Sequence, residues 1–158
     1  MSEAITLGLA HGNEATFIAN MSRELIETGL PWHWRASRVR RAISDPDTVV
    51  LAARHRGVVV GFAIMHFRLE EAHLDLFAVS PEWQRQGVGQ RLMDWLERTI
   101  RVAGIARVSL EVRLHNGAAR RFYRRRGFRD AQFLPRYYVG LEPALRMVRT
   151  LRATSGTT

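Results

Sequence analysis

Cysteine is missing from this 158-residue chain. Its absence removes disulfides, a thiolate nucleophile, zinc ribbons and thiol redox chemistry from consideration, and it fits a reducing compartment. Long apolar runs are missing as well: nothing approaches the roughly 20 consecutive apolar residues of a membrane span. The opening residues, MSEAITLGLAHGNEA, carry an acid at Glu3, no basic segment, and an apolar run too short for a signal peptide. A cytoplasmic chain without membrane contact is expected. The histidines at 11, 33, 55, 66, 73 and 115 lack the spacing of a metal site, so no metal is expected. There is no internal repeat and no Pro/Gly/Ser-rich linker. The length suits one domain, expected over residues 1–152, with the end ATSGTT (153–158) as a flexible tail.

Acidic residues are in deficit. Asp and Glu number 15 against 24 Lys and Arg, a formal charge of +9, and the pI is about 11.4. Such a balance suggests an anionic partner, whether nucleic acid, acidic lipid or a polyphosphate ligand. Charge alone does not choose among these, nor does it exclude an arginine-rich surface that is merely solvated.

What is present reads as alternating strands and helices. A strand is expected over 4–9. Asn13 is read as the N-cap of an amphipathic helix carrying Phe17, Ile18, Met21, Leu25 and Ile26, stopped by Gly29. A basic helix follows over 37–43. Residues 48–53 and 58–67 flank RHRG, a hairpin signal at Gly57. The run 72–79 alternates Leu74, Leu76 and Ala78 against Asp75, Phe77 and Val79, and ends at Pro81. Val88, Leu92, Trp95, Leu96, Thr99 and Ile100 then share one face of a helix stopped by Gly104. Val108, Leu110 and Val112 mark another strand, Asn116 starts a short helix ending before Gly127, and a strand runs to Tyr138. The stretch 144–151 fits a strand or a helix. Strand–helix–strand over 72–113 is a βαβ unit, whose two strands should be parallel.

PEWQRQGVGQRLMDWLERTIR, residues 81–101, places Gly87 and Gly89 at the mouth of the long helix, although glycine lowers helix stability by up to ~1 kcal/mol. A strand that turns tightly into a helix presents unpaired amides at the positive end of the helix dipole, and glycine lets an anion approach them. A Walker A loop needs Gly-Lys and then Ser or Thr, which are absent. A dinucleotide fingerprint needs a third glycine where Leu92 stands. What remains is Q-x-x-G-x-G, Gln84 to Gly89, a phosphate cradle or else glycines that only ease strand–helix packing.

HLDLFAVSPEWQRQGVGQRLMDWL followed by VSLEVRLHNGAARRFYRRRGF, in this order and spacing, closely resembles the GNAT superfamily of acetyl-CoA-dependent N-acetyltransferases. Within it the likeness is greatest to the bacterial ribosomal-protein N-terminal acetyltransferases. It is strong over about residues 72–138. The resemblance implies an α/β fold with a central mixed, mostly antiparallel twisted sheet of six or seven strands, a parallel βαβ unit and about four flanking helices. It implies that the amides of Arg85, Gln86, Gly87, Val88, Gly89 and Gln90 bind the pyrophosphate of acetyl-CoA. Phe77, Ala78 and Val79 would offer strand backbone to the pantetheine arm, and Asn116 would contact the cofactor, cap its helix, or both.

Acetyl transfer to an amine needs a neutral nucleophile and a protonated leaving thiolate. An amine near pKa 10 is mostly protonated at neutral pH, so a base is useful. Glu111 is a carboxylate in a strand expected to be central, where it is costly unless paired or facing a ligand. The resemblance makes it the general base, directly or through water; the alternative is an ion pair with Arg113 or another arginine. Tyr123 aligns with the general acid for the thiolate, its alternative being packing beside Phe122. Trp32 and Trp34 fall where the family builds its acceptor wall, or else pack in the core. Tyr137 and Tyr138 match a tyrosine pair that helps hold a peptide N-terminus, although only VGLEP separates Tyr138 from Ala144, several residues shorter than that group's connection.

The expected activity is thus acetyl transfer from acetyl-CoA to a primary amine, a protein N-terminal α-amine first and a small-molecule amine second. The arginines at 120, 121, 124, 125 and 126 leave two other classes in view, a nucleic-acid-binding module and a non-catalytic acetyl-CoA sensor. The glycine cradle disfavours the first, and the presence of both Glu111 and Tyr123 disfavours the second. The oligomeric state is open, a homodimer being one option.

Overall fold

The computed structural model describes residues 4–151; the expected tail lies outside the described residues. Seven strands and four α-helices follow in the order β1 (Ile5–Leu9), α1 (Ala15–Leu25), α2 (Ala36–Ser44), β2 (Thr48–His55), β3 (Val58–Phe67), β4 (Glu71–Val79), α3 (Val88–Val102), β5 (Arg107–Arg113), α4 (Gly117–Arg125), β6 (Arg129–Tyr138) and β7 (Glu142–Thr150). The strands form one sheet, ordered β1-β2-β3-β4-β5-β7-β6. The β1–β2, β2–β3, β5–β7 and β6–β7 pairs are antiparallel. The β4–β5 pair is parallel, with Glu71, Ala72 and His73 against Arg107, Val108 and Ser109. This is the expected mixed sheet with its βαβ unit.

Two compact units divide the chain. The first comprises the chain up to His66 together with Leu74–Thr99. Its core joins Ile18, Ala19 and Met21 of α1 and Val39 and Ala42 of α2 to Val50, Ala52, Phe62, Ile64, Leu76 and Ala78 of the strands. A period of two on the strands and near 3.6 on the helices puts these side chains on one face of each element. The opposite face of β3 meets α3: a Cβ added at Gly61 would lie 3.2 Å from Ala78 O and 3.3 Å from Val88 and Leu92. Glycine at 61 therefore lets the helix sit close on the sheet. Besides the expected α3 face, Met93 is buried. The β2–β3 hairpin turns through Arg56 (φ 51°) and Gly57 (φ 79°), two left-handed residues in succession that match the twist of the strands.

Asn13 does not cap α1. A 3₁₀ turn, Gly12–Glu14, precedes the helix, and the Glu14 carboxylate accepts a hydrogen bond from the His11 amide at 2.7 Å. The same carboxylate meets Arg54 of β2 at 2.6 Å. A cross-strand arginine, 40 residues away, thus decides how α1 begins.

The second unit comprises Phe67–His73 and the chain from Ile100 onward. Val108, Leu110, Val112, Ala144, Leu145, Met147, Tyr123 and Phe128 are buried in it. The ambiguous stretch after Pro143 is strand β7, because it is paired on both sides, with β5 and with β6. The β6–β7 connection is a tight turn through Val139 (φ 55°) and Gly140 (φ 71°).

Candidate active site

In the first unit, the feature set up by the glycines is the start of α3. Behind β4 the chain makes a 3₁₀ turn, Pro81–Trp83, and is then pinned from both sides. Gln84 Nε2 donates to Val79 O at 2.9 Å, and Gln86 Nε2 donates to Glu82 O at 2.8 Å. Arg85 (φ 63°) and Gly87 (φ 83°) both lie in the left-handed region. Arginine there is uncommon and strained, a kind of backbone that concentrates at functional loops. The first bond of the helix runs from Arg91 N–H to Gly87 O at 3.1 Å. The amides of Val88, Gly89 and Gln90 therefore have no acceptor within the helix. A Cβ at Gly87 would meet no atom within 4 Å, so the glycine answers to backbone conformation and to the open space in front of it, not to packing. Three unpaired donors at a helix N-terminus, beside open space, suit a phosphate group. Phe77, Ala78 and Val79 form the end of β4 that leads into this loop, with Ala78 buried and its two neighbours half-buried.

In the second unit a polar group is built around Glu111 of β5. Its Oε1 accepts from His73 Nε2 at 2.7 Å and from the Tyr137 hydroxyl at 3.2 Å. Its Oε2 accepts from Arg146 Nε at 2.8 Å, and Arg146 also donates to Gln132 Oε1 at 3.0 Å. Glu111 and Arg146 are direct partners across the β5–β7 ladder. The Glu111 side chain is only 8 % exposed, whereas His73 retains 25 %. Burial is the largest single influence on the Glu111 carboxyl and would raise its pKa. The hydrogen bonds from His73 and Arg146, with their charges, outweigh it and bring the group from its ordinary 4.5 down to about 2. The ion pair weighed for Glu111 is present, with Arg146 and not with Arg113, which meets Glu142 at 3.0 Å.

Tyr123 lies on α4, packed edge-on between Phe122 (5.5 Å) and Phe128 (5.6 Å). Burial, with the nearby Tyr138 phenol, raises its pKa, so it stays protonated across the neutral range. Tyr138 is raised too, by burial first and then by Tyr137, and the two rings stand edge to face at 4.9 Å. Asn116 caps α4, its Oδ1 accepting from Ala119 N–H at 3.1 Å. Glu111, Tyr123, Asn116, Tyr137 and Tyr138 thus all belong to the second unit, as does His73, which bonds to Glu111.

Trp32 and Trp34 pack against the core of the first unit. Arg23 and Arg35 lie over the Trp32 ring at 5.1 and 4.9 Å, and Arg38 lies over Trp34 at 3.8 Å. The connection is held by buried Glu27, which accepts from Ser22 Oγ (2.8 Å) and from the His33 amide (2.7 Å). His73 and Arg146 were not singled out from the sequence. Strand parity carries the signal for His73: in β4 the odd positions 73, 75, 77 and 79 share the face opposite the buried even positions.

The profile of the acetyltransferase (GNAT) family matches residues 17–128. The [ribosomal protein bS18]-alanine N-acetyltransferase of Escherichia coli is 40 % identical over 82 residues, covering 52 % of this chain and 55 % of the relative. The chain spans little more than half the length of the curated relatives it matches. Among solved structures, Ard1 from Thermoplasma volcanium superposes with a TM-score of 0.83 at 28 % identity, covering 94 % of this chain and 99 % of that one. The E. coli ribosomal-protein-S18-alanine N-acetyltransferase superposes with a TM-score of 0.80 at 27 % identity, covering 98 % and 99 %. The family match over more than two thirds of the sequence, on a seven-stranded sheet with a glycine-bearing helix start, makes this chain a member of the GNAT acetyltransferase family.

Proposed function

We propose that this protein transfers the acetyl group of acetyl-CoA to a primary amine, foremost the α-amine of a protein N-terminus. The observation that carries the reading is the start of α3. In a GNAT chain, the unpaired amides of Val88, Gly89 and Gln90 behind left-handed Arg85 and Gly87 are suited to a pyrophosphate. The amides of Arg85 and Gln86 extend that cradle. The backbone of Phe77, Ala78 and Val79 is assigned to the pantetheine arm, and Asn116 to the cofactor in addition to its cap. Bound acetyl-CoA supplies an activated thioester.

The chain's own groups supply the proton traffic. Glu111 and the side chains gathered on it serve the deprotonation of the amine. Tyr123 is assigned the donation of a proton to the leaving sulfur. A phenol kept protonated by burial remains a donor at neutral pH, and a thiolate whose conjugate acid titrates near 8.5 can accept from it. The relative from E. coli is named for acetylating an alanine of ribosomal protein bS18, which supports a protein N-terminus as acceptor. Tyr137 and Tyr138 would border that acceptor. A cytoplasmic site of action follows from this substrate.

One observation favours a second reading, a small-molecule amine. The β6–β7 connection is reduced to Val139, Gly140 and Leu141, which leaves little wall for a peptide beyond Tyr138. The test is thiol release from acetyl-CoA against a panel of peptides with different N-terminal residues and of small amines. Peptide turnover supports the first reading, turnover of small amines alone supports the second, and silence with all of them refutes both.

A further inference from the structure

We propose that Arg146 is a positioning residue for acetyl transfer: pinned by Gln132, it holds the Glu111 carboxylate ionised and in one orientation. The proposal rests on the acetyl-transfer reading above, in which Glu111 serves the deprotonation of the amine.

Three side chains stand in a row across three strands. Glu111 of β5 is paired with Arg146 of β7, and Arg146 is paired with Gln132 of β6. The bonds follow that row. Arg146 Nε donates to Glu111 Oε2 at 2.8 Å, and Arg146 Nη1 donates to Gln132 Oε1 at 3.0 Å. Two nitrogens of one guanidinium are thus held by partners on opposite sides, which fixes the plane of the group. Lysine would bring a charge here but not a flat donor with two fixed ends.

The register that makes the row is irregular. Asp130 pairs with Met147, yet the next pair is Gln132 with Arg146, so Ala131 is an extra residue in β6. An unbroken ladder would set Ala131 opposite Arg146 and turn Gln132 to the other face. A bulge re-aims a side chain. Here the side chain it brings to Arg146 is one that can accept from it. Strand β6 is exposed along nearly its whole length, so core packing does not account for the bulge.

What the row does to Glu111 follows from burial. Its side chain is 8 % exposed, and burial by itself would push the carboxyl up. The groups that face it are His73 of β4 at 2.7 Å, Tyr137 of β6 at 3.2 Å and Arg146. Tyr138 of β6 also feels the Glu111 charge, after burial and Tyr137. Of these, Arg146 alone carries a charge at every working pH, since an imidazole titrates near neutrality and a phenol is neutral there. Arg146 is held charged in turn by Glu111 first, then by Tyr137 and Glu71. It is the permanent counter-charge of the site, and it keeps Glu111 an acceptor for the proton of the amine.

Three variants test this. Arg146→Gln removes the charge, Arg146→Lys keeps the charge without the second bond, and Gln132→Ala cuts the pin at an exposed position where the fold is not at stake. In an NMR titration of the Glu111 carboxyl carbon, the midpoint should rise by about 1–3 pH units in Arg146→Gln. Arg146→Lys and Gln132→Ala should leave it near the wild-type value. At pH 7, Arg146→Gln should lose ~10–10²-fold in kcat with KM for acetyl-CoA unchanged; Arg146→Lys should recover part of that loss, and Gln132→Ala should show a smaller loss of the same kind. An ion pair with a structural part only would lower the melting temperature and spare kcat. An unmoved midpoint in Arg146→Gln, or wild-type kcat in both Arg146→Lys and Gln132→Ala, would overturn the proposal. If wild type itself acetylated no acceptor, the acetyl-transfer reading would fall and this proposal with it. The two failures are distinguishable, because failure of the proposal alone leaves wild type active and the variants equal to it.

Discussion

Glu111 should make the stability of this protein depend on acid in a way that a single substitution removes. The carboxyl stands at about 2 in the folded protein against an ordinary 4.5. A depressed folded pKa contributes stability that is fully present above the unfolded value, here 4.5, and is lost as pH falls through the folded value, here about 2. At 1.36 kcal/mol for each pH unit of difference, the contribution comes to ~3 kcal/mol. That is a large share of the 5–15 kcal/mol typical of a domain. The perturbation is Glu111→Gln, which keeps the shape of the side chain and removes its charge. Urea unfolding at pH 7, 5, 4, 3 and 2 gives the stability of both proteins. The gap between wild type and variant should be ~3 kcal/mol or more at pH 7, because Arg146 and His73 lose their anion. It should narrow through pH 4 and 3 and nearly close by pH 2, where wild-type Glu111 is itself becoming neutral. The Glu14–Arg54 pair, also broken by acid, is common to both proteins and cancels. A gap that stays constant from pH 7 to 2, or a variant as stable as wild type at pH 7, would refute the reasoning.

Other perturbations separate the site's parts. Gly87→Ala forces a side chain into the left-handed region (φ 83°) at a cost of ~1–2 kcal/mol. It should shrink the thermal stabilisation by acetyl-CoA, which in wild type amounts to ~2.7 kcal/mol at a hundredfold excess over Kd; an undiminished shift would place the pyrophosphate elsewhere. Gly61→Ala should destabilise by ~1–3 kcal/mol, because the added methyl would press on the Ala78 carbonyl at 3.2 Å; a neutral melting temperature would show that α3 can move away. Tyr123→Phe should cut kcat ~10²–10⁴-fold and leave acetyl-CoA affinity unchanged, since the ring between Phe122 and Phe128 is retained; a normal kcat would end the acid role.

Which of these features could be read in the sequence follows from how local they are. The cradle was legible because turn chemistry and a helix start are written in adjacent residues, Gln84 to Gln90. Strand β4 was legible because its alternation repeats every second residue. The strain at Arg85 was not, because nothing in its side chain announces a left-handed backbone. The start of α1 was misread at Asn13 because Arg54, from a distant strand, holds Glu14 in the competing position. The last stretch could not be settled between helix and strand until β5 and β6 were seen to pair with it. The same cause hid the Glu111 cluster: its partners lie 26, 35 and 38 residues away, and only the sheet register brings them together. A long-range ladder selects among patterns that local propensity leaves equal.

Incubating the protein with acetyl-CoA and a peptide bearing a free N-terminal alanine, then locating any added acetyl group by mass spectrometry, tests the central claim most directly. The account predicts an acetyl group on the α-amine, released thiol in equal amount, and loss of both in Tyr123→Phe. A protein that binds acetyl-CoA but acetylates no amine, peptide or small molecule, would contradict it.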